Sequence, residues 1–285
     1  MKIQELLEES IIRLTPFGDT PQLDAQVLLA HVIKKPRTWI MAHLEYDVTN
    51  EEQIQLVHAL KKLEAGEPLP YILAKWEFFG LEFDITKDVL IPRPETELLV
   101  EKAIAWLKAS PERRTAADIG TGSGAIAVSI AMHMPDTRIL ATDISLAALK
   151  VAQHNARKFH VHHRIDFLQC DLLPQHIDSL PTDRHFDLIC ANLPYIPTKT
   201  LKQLPIYGRE PTLALDGGAD GLDLYRRLFK LAPNWLAPHG MMLLEIESAL
   251  GVQALGLAFD TFSDATIHLH QDLAGNDRLL EIMFI

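Results

Sequence analysis

The chain has 285 residues, 48% of them hydrophobic, and a formal net charge of −11, enough apolar material for one large domain or two with filled cores. A duplex-binding protein ordinarily carries a basic face, so this charge counts against DNA as the main substrate, and no direct nucleic-acid partner is expected. With no apolar run near the roughly 18 residues that span a bilayer, no signal-peptide-like start and only Cys170 and Cys190 as cysteines, a cytoplasmic monomer with reduced thiols and no membrane partner is expected.

Ile3, Leu6, Leu7, Ile11 and Leu14 recur at helical spacing. Thr20-Pro21 is an N-cap followed by proline at the first helical position, and it opens a second helix running to Ile33. Pro36 to His43 is a short third piece. Thr49-x-x-Glu52 is a capping box ahead of Ile54, Val57, Leu60 and Leu63, and Gly66 closes that helix. Residues 1–67 therefore read as a small all-α bundle without chemistry of its own, serving substrate docking or stabilisation. From Pro68 to Lys87 the residues Tyr71, Ile72, Trp76, Phe78, Phe79, Leu81 and Phe83 favour extended chain. A linking β-hairpin over residues 68–92 is the expectation, with a second domain over 93–285.

In that second domain a helix is predicted from Glu95 to Leu107, after which strands and helices alternate as in a doubly wound α/β fold. Strands are predicted at Thr115–Asp118, Arg138–Thr142, Arg164–Cys170, Phe186–Ala191, Met241–Ile246, Thr266–Gln271 and Arg278–Phe284. No helix fits between the last two, so they should pair antiparallel at the edge of a mostly parallel sheet.

Three polar groups then fall at the carboxyl ends of strands, where open α/β sheets bind ligands. Asp118 precedes Gly120-Thr121-Gly122-Ser123-Gly124, a turn in which glycine admits positive φ and close approach of a ligand to the backbone. The spacing is G-x-G-x-G rather than the G-x-G-x-x-G of a pyrophosphate cradle, and Asp118 suits a cationic ligand better than a phosphate. Asp143 ends the next strand, placed to bind ribose hydroxyls. Asn192-Leu193-Pro194-Tyr195 follows the fourth strand. There the Asn192 side-chain oxygen can accept one N–H of a planar amino or amide group, and the Leu193 carbonyl a second. Pro194 restricts Leu193 to extended conformations, and Tyr195 offers a flat face. The histidines His154, His160, His162 and His163 lack an accompanying carboxylate or thiol array and read as a solvated helix end; His268 and His270 share one face of an edge strand.

Asp118 to Gly124, taken with Asp143, resembles the S-adenosylmethionine site of class I methyltransferases. With Asn192 to Tyr195 added, the chain resembles amino-methyltransferases carrying an (Asn/Asp)-Pro-Pro-(Tyr/Phe) motif. Val89-Leu90-Ile91-Pro92-Arg93-Pro94-Glu95-Thr96-Glu97 is similar to the segment ahead of the catalytic domain in the release-factor glutamine methyltransferase family (HemK/PrmC). Glu210-Pro211 through Ala214-Leu215, then Gly217 to Leu222, is similar to that family's E-P-x-x-A-L-x-G-G-x-D-G-L stretch, and Glu77 to Phe83 fits its E-F-x-G-x-x-F pattern. The resemblance runs from about Pro70 to the C-terminus, with four motifs in the family's order.

The resemblance implies a Rossmann-like seven-stranded sheet and methyl transfer from S-adenosylmethionine, without a metal, to the glutamine of a Gly-Gly-Gln loop in peptide-chain release factors. In that scheme Asp118, Gly120, Thr121, Gly122, Ser123, Gly124, Asp143 and Asn192 hold the cofactor. Asp171 contacts the adenine amino group unless it is only a solvated strand exit, and Leu172 packs on the ring. Asn192, Leu193, Pro194 and Tyr195 form the catalytic motif and, with Arg93 and Glu210, touch substrate; Arg93 and Glu95 could equally form a structural ion pair. The long segment from Tyr195 to Leu222 is a candidate lid. Leu193 departs from the family's usual proline, which costs some preorganisation of the acceptor carbonyl. An adenine-N6 methyltransferase and a non-catalytic cofactor-binding module that docks release factors remain the alternatives.

Overall fold

The computed structural model describes residues 1–174 and 185–284, which form two compact units, Met1–Lys75 and Trp76–Ile285. In the first, α1 (Ile3–Leu14), α2 (Pro21–Ile33), α3 (Arg37–Ala42) and α4 (Asn50–Glu64) stand where caps and spacing put them. Ile3, Leu6, Leu7 and Leu14 of α1 are buried in one cluster with Leu28, Leu29 and Val32 of α2 and Leu56 and Leu60 of α4. At about 1.5–3 kcal/mol for each large apolar side chain, this shared core rather than helix propensity holds the bundle. The Thr49–Glu52 box is formed in both directions: Glu52 N donates to Thr49 Oγ1 at 3.3 Å and Thr49 N donates to Glu52 Oε2 at 2.9 Å.

The expectation of extended chain from Pro68 fails over α5 (Leu69–Leu73). Pro68 and Pro70 hold φ near the helical value, a restriction the first turn of a helix accepts without loss. Burial of Pro70 and Tyr71 then outweighs the β preference of Tyr71 and Ile72, and Ala74 closes the turn in the left-handed region at φ 57°. The two-stranded sheet is shorter than predicted: β1 (Lys75–Phe78) and β2 (Leu81–Asp84), joined through Phe79 and Gly80, both at positive φ. That turn matches the twist of a tight hairpin.

The second unit continues with α6 (Glu97–Lys108), β3 (Thr115–Ile119), α7 (Ala125–His133), β4 (Arg138–Asp143), α8 (Leu146–Lys158) and β5 (Ile165–Gln169). Then follow β6 (Phe186–Ala191), α9 (Thr198–Leu201), α10 (Asp223–Leu231), β7 (Leu236–Glu245), α11 (Gly251–Thr261), β8 (Thr266–Gln271) and β9 (Asp277–Met283). Seven strands make one sheet in the order β5-β4-β3-β6-β7-β9-β8. β5 to β7 run parallel, and β9 inserts between β7 and β8, antiparallel to both. Ala116, Ala117 and Ile119 of β3 and Leu188, Ile189, Cys190 and Ala191 of β6 are buried, as expected of central parallel strands covered on both faces.

Chain order reverses between β3 and β6, and such a reversal opens a crevice at the carboxyl ends of the strands. Asp118 pairs in register with Cys190, and Ile119 with Ala191, so the loops leaving these two strands start side by side. The β2 end is tied to this region through Asn155 of α8. Its Oδ1 accepts from Asp84 N at 2.9 Å, and its Nδ2 donates to Asp84 O at 3.0 Å and Ser123 O at 2.9 Å. Among the described residues no helix is long and apolar enough to cross a membrane.

Candidate active site

A cleft of about 470 Å³ opens at the carboxyl ends of β3 to β6. After β3 it is lined by Gly120, Thr121, Gly122 and Ser123, and after β4 by Asp143 and Ile144. Asp171 and Leu172 follow β5; Asn192, Leu193 and Pro194 follow β6; Arg93 and Thr96 come from the segment ahead of α6. Of the residues expected in the site, Asp118, Gly124, Tyr195 and Glu210 do not line the cleft. Each stands behind it in a supporting position.

Asp118 is 1% exposed. Its Oδ2 accepts from Thr121 Oγ1 at 2.6 Å and from Ala127 N at 3.1 Å, so it clamps the glycine turn to the start of α7. It lies beneath the loop instead of facing a cationic ligand, and burial pushes its carboxyl up to about 6 despite those two donors. Gly120, Gly122 and Gly124 take φ of 74°, 55° and 82°, values that L side chains rarely adopt. A Cβ on Gly124 would meet Ala152 Cβ at 3.1 Å, so this glycine serves close packing against α8. Asp143 receives Gly122 N on Oδ2 at 2.9 Å and Ser145 N on Oδ1 at 2.8 Å. Burial raises its carboxyl above the ordinary range. As an acceptor-only group with spare lone pairs on both oxygens, it suits a vicinal diol.

Asn192 Nδ2 donates to Thr96 Oγ1 at 3.1 Å, which leaves Oδ1 as the end of the amide turned away from Thr96. Leu193 is 2% exposed, and its carbonyl lies 3.3 Å from the oxygen of the Tyr225 hydroxyl, whose one proton goes to the nearer Glu245 carbonyl. Tyr195 does not present its ring to the cleft as expected: the ring packs on the core, and its hydroxyl donates to Glu245 Oε1 at 3.4 Å. Burial carries that hydroxyl far above its ordinary pKa.

The segment from Tyr195 to Leu222, expected as a candidate lid, contains α9 and is hydrogen-bonded back onto the motif. Ile196 N donates to Leu215 O at 3.1 Å, and Gly217 N to Ile196 O at 2.9 Å. A Cβ on Gly217 would stand 2.7 Å from Tyr195 Cα, and one on Gly221 only 2.3 Å from Tyr195 O. The two glycines are therefore the points at which this segment backs the Asn192–Tyr195 loop.

Glu210, expected at the substrate, is 8% exposed and turned inward. A carboxylate so placed requires partners, and it takes Arg93 Nη2 at 2.6 Å and Ile91 N at 3.1 Å. The ion pair of Arg93 is thus with Glu210 and not Glu95. Asp171 meets Arg227 Nη2 at 2.5 Å, both half exposed at the cleft edge. His154 pairs with Asp84 at 2.6 Å, and among the described residues no group of three His, Cys, Asp or Glu is placed to hold a metal ion.

Sequence reasoning missed Thr96, Tyr225, Arg227 and above all Glu245. Glu245 is 1% exposed at the end of β7, and its carboxyl, with the Tyr195 hydroxyl on Oε1 and no hydrogen-bond partner on Oε2, is pushed by burial up to about 7. The rule that singled out Asp118, Asp143 and Asn192, a polar residue at a strand's carboxyl end, also applies to Glu245.

Residues 5–73 match the PrmC N-terminal domain and residues 94–204 the methyltransferase small domain. A release factor glutamine methyltransferase of Moorella thermoacetica is 42% identical over 280 residues, covering 98% of this chain and 97% of that one. One of Coxiella burnetii is 38% identical over 287 residues, covering 98% of each. Among solved structures, the T. thermophilus 16S rRNA N2 G1207 methyltransferase superposes with a TM-score of 0.54 at 19% identity, over 74% of this chain and 50% of that one, a likeness of fold. Identity at this level along nearly the full length of both chains, together with the strand-end cleft, places the protein: it belongs to the release factor glutamine methyltransferase family.

Proposed function

We propose that the protein transfers a methyl group from S-adenosylmethionine to the side-chain amide nitrogen of a glutamine, that of the Gly-Gly-Gln motif of peptide-chain release factors. The observation that carries this reading is the pair of acceptors at the cleft, Asn192 Oδ1 and the Leu193 carbonyl, beside a glycine turn and Asp143. The cleft fits the cofactor by its chemistry. Gly120 and Gly122 expose backbone to its amino-acid and ribose portions, and Asp143 accepts from the ribose hydroxyls. The oxygen of Asp171 not engaged by Arg227 accepts from the adenine amino group, with Leu172 against the ring. When bound, S-adenosylmethionine supplies an electrophilic methyl on its sulfonium.

The protein's work is on the other partner. A carboxamide nitrogen is a poor nucleophile because its lone pair is delocalised into the carbonyl. Asn192 Oδ1 and the Leu193 carbonyl accept its two N–H groups, fixing its direction, and their dipoles favour positive charge gathering on nitrogen. Orientation of this kind is worth several kcal/mol, and preorganised dipoles add to it. Pro194 stiffens the loop, Tyr195 anchors it, and Arg93 at the mouth faces the incoming peptide. The helical unit grips the release factor elsewhere, and the reaction belongs to the cytoplasm, where these factors act.

The test is transfer of labelled methyl to a purified release factor, with its Gly-Gly-Gln→Gly-Gly-Ala variant and duplex DNA in parallel. Label on the intact factor alone is expected. Label on DNA would move the assignment to adenine-N6 methylation, and no label despite tight cofactor binding would leave only a docking module. Asn192→Ala should cut turnover at least about 100-fold while cofactor affinity by calorimetry stays within about threefold.

A further inference from the structure

Left-handed backbone is costly for a residue with a side chain, and it persists only where the surroundings impose it, often beside a bound ligand. Among the described residues six non-glycines take positive φ, and of these only Leu172, at 64°, lines the cleft. Leu172 is 7% exposed and follows Asp171 on the exit from β5. What imposes its conformation stands on the neighbouring strand. Thr142, fully buried near the end of β4, donates its hydroxyl to the Leu172 carbonyl at 2.7 Å. On the other side of Asp171, Cys170 N donates to the Asp143 carbonyl at 3.1 Å. The turn that carries Asp171 is therefore tied down at both ends, to two consecutive residues of β4. The Cys170 thiol, a weaker donor, lies 3.4 Å from the Leu172 carbonyl.

Thr142 does not itself line the cleft. Its backbone carbonyl accepts Gly120 N at 2.9 Å and Thr121 N at 2.8 Å, and so holds the glycine turn. Its backbone and its side chain thus serve two different parts of one cleft, and a substitution can remove the second service without the first.

We propose that Thr142 is a positioning residue whose hydroxyl holds Leu172 in the left-handed conformation and thereby sets Asp171 and Leu172 for the adenine ring. The proposal rests on the reading of this cleft as an S-adenosylmethionine site with Asp171 at the adenine amino group. Without the hydroxyl the buried Leu172 carbonyl loses its strong donor, and Leu172 is free to leave the left-handed region. The backbone that aims Asp171 then turns with it. Arg227 holds one oxygen of Asp171 at 2.5 Å, but this half-exposed pair fixes a side chain and not the peptide beneath it. The glycine turn keeps its own backbone acceptor. Loss of the hydroxyl should therefore blunt recognition of the base and spare the rest of the cofactor.

The experiment measures calorimetric Kd values of the full chain for S-adenosylhomocysteine and S-inosylhomocysteine. The second carries a carbonyl where adenine carries NH2, so a carboxylate that accepts from the amino group disfavours it. Wild type should prefer the adenosyl ligand about 10- to 100-fold. Thr142→Val keeps a β-branched side chain suited to a strand and removes only the donor. It should cut that preference on the order of tenfold, through weaker adenosyl binding, with inosyl affinity within about threefold. Thr142→Ser should restore the preference. In turnover with S-adenosylmethionine, the loss in Thr142→Val should appear in KM for the cofactor and not in kcat.

Equal falls for the two ligands would mean a general loosening of the cleft and would overturn the proposal, as would wild-type affinities in Thr142→Val. Should Thr142→Val fail to fold, Thr142→Ala against Thr142→Ser decides, since that pair differs only in the hydroxyl. The methyl resonances of Leu172 in protein carrying 13C-labelled leucine, assigned by their loss in Leu172→Ala, are followed without ligand. They should move in Thr142→Val and return in Thr142→Ser; unmoved resonances would overturn the proposal. If wild type binds neither ligand, or both alike, the cofactor reading fails at the base. The resonances then still decide whether Thr142 holds Leu172.

Discussion

Arg93 Nη2 stands 2.6 Å from Glu210 Oε1, and the other oxygen of that carboxylate receives Ile91 N at 3.1 Å. Residues far apart in sequence are thereby joined: the Ile91–Arg93 segment that brings Arg93 and Thr96 to the cleft, and the segment that backs the Asn192 loop. The Glu210 side chain is 4% exposed and that of Arg93 31%, so the two ends of the pair are unequal.

Removal of the solvated end should therefore cost more. Arg93→Ala leaves a buried carboxylate without its counter-charge and is expected to lower unfolding free energy by about 3 kcal/mol. Glu210→Ala leaves a guanidinium that water can reach and strands the Ile91 N–H, at a cost of about 1–2 kcal/mol. Urea denaturation of both variants checks the ordering; equal losses would mean that the guanidinium is not what holds the buried carboxylate.

Gly217→Ala tests the backing of the motif. The new methyl would need the space of Tyr195 Cα, at 2.7 Å, and Pro194 O, at 2.8 Å. Both are backbone atoms, so the loop must move. A displacement approaching 1 Å at a reacting group can cost about 100-fold in rate. Turnover is expected to fall at least about tenfold while cofactor binding, which depends on other strand ends, changes by less than about threefold. Wild-type kcat in a folded Gly217→Ala protein would show that the loop has slack.

Asp143→Ala should act in the opposite sense. It removes the acceptors of Gly122 N and Ser145 N, loosening the glycine turn as well as the proposed ribose contact. Cofactor affinity is expected to drop on the order of 100-fold, as for loss of a charged hydrogen-bonding group. Calorimetry reads this directly, and an unchanged Kd would remove Asp143 from the cofactor site. Asp143→Asn should recover little, because one of its two backbone donors would then face an NH2 group.

Asp118 gives a pH dependence of definite sign. Burial raises its carboxyl from 3.8 to about 6, so the folded state binds its proton more tightly than the unfolded chain does. The associated stability is fully present below about pH 4 and is lost as pH rises through 6; a shift of this size corresponds to about 3 kcal/mol. Asp118→Asn removes that titration whatever its effect on absolute stability. The difference in unfolding free energy between wild type and variant should change by about 2 kcal/mol between pH 4 and pH 6. A difference constant with pH would mean that Asp118 titrates normally.

The sheet was legible in the chain because its strands are short apolar runs with turn residues between them, and strand ends then pointed to Asp118, Asp143 and Asn192. Location at a strand end did not reveal direction. Asp118 and Glu210 are carboxylates in apolar surroundings, and the cost of burying a charge turned both toward backbone or guanidinium donors. Glu245 escaped notice because Met241 to Ile246 reads as one apolar strand in which a lone acid passes for the exit. Tyr71 and Ile72 carry β-favouring side chains, but the flanking prolines and burial of Tyr71 decide that turn. The insertion of β9 between β7 and β8 leaves no local trace, since order across a sheet is set by long-range pairing and not by any segment's own pattern.

That insertion has a consequence for how the protein is made. β9 follows β8 in the chain yet separates it from β7 in space, so β8 has no neighbour to join until β9 has emerged from the ribosome. Through that interval the free edge of β7, which carries Glu245, is open to wrong partners. Completion of the cleft's foundation thus falls to the strand synthesised after all the others. A nascent chain arrested before Asp277 would hold the glycine turn and the Asn192 motif but leave the Glu245 strand unpaired along one edge.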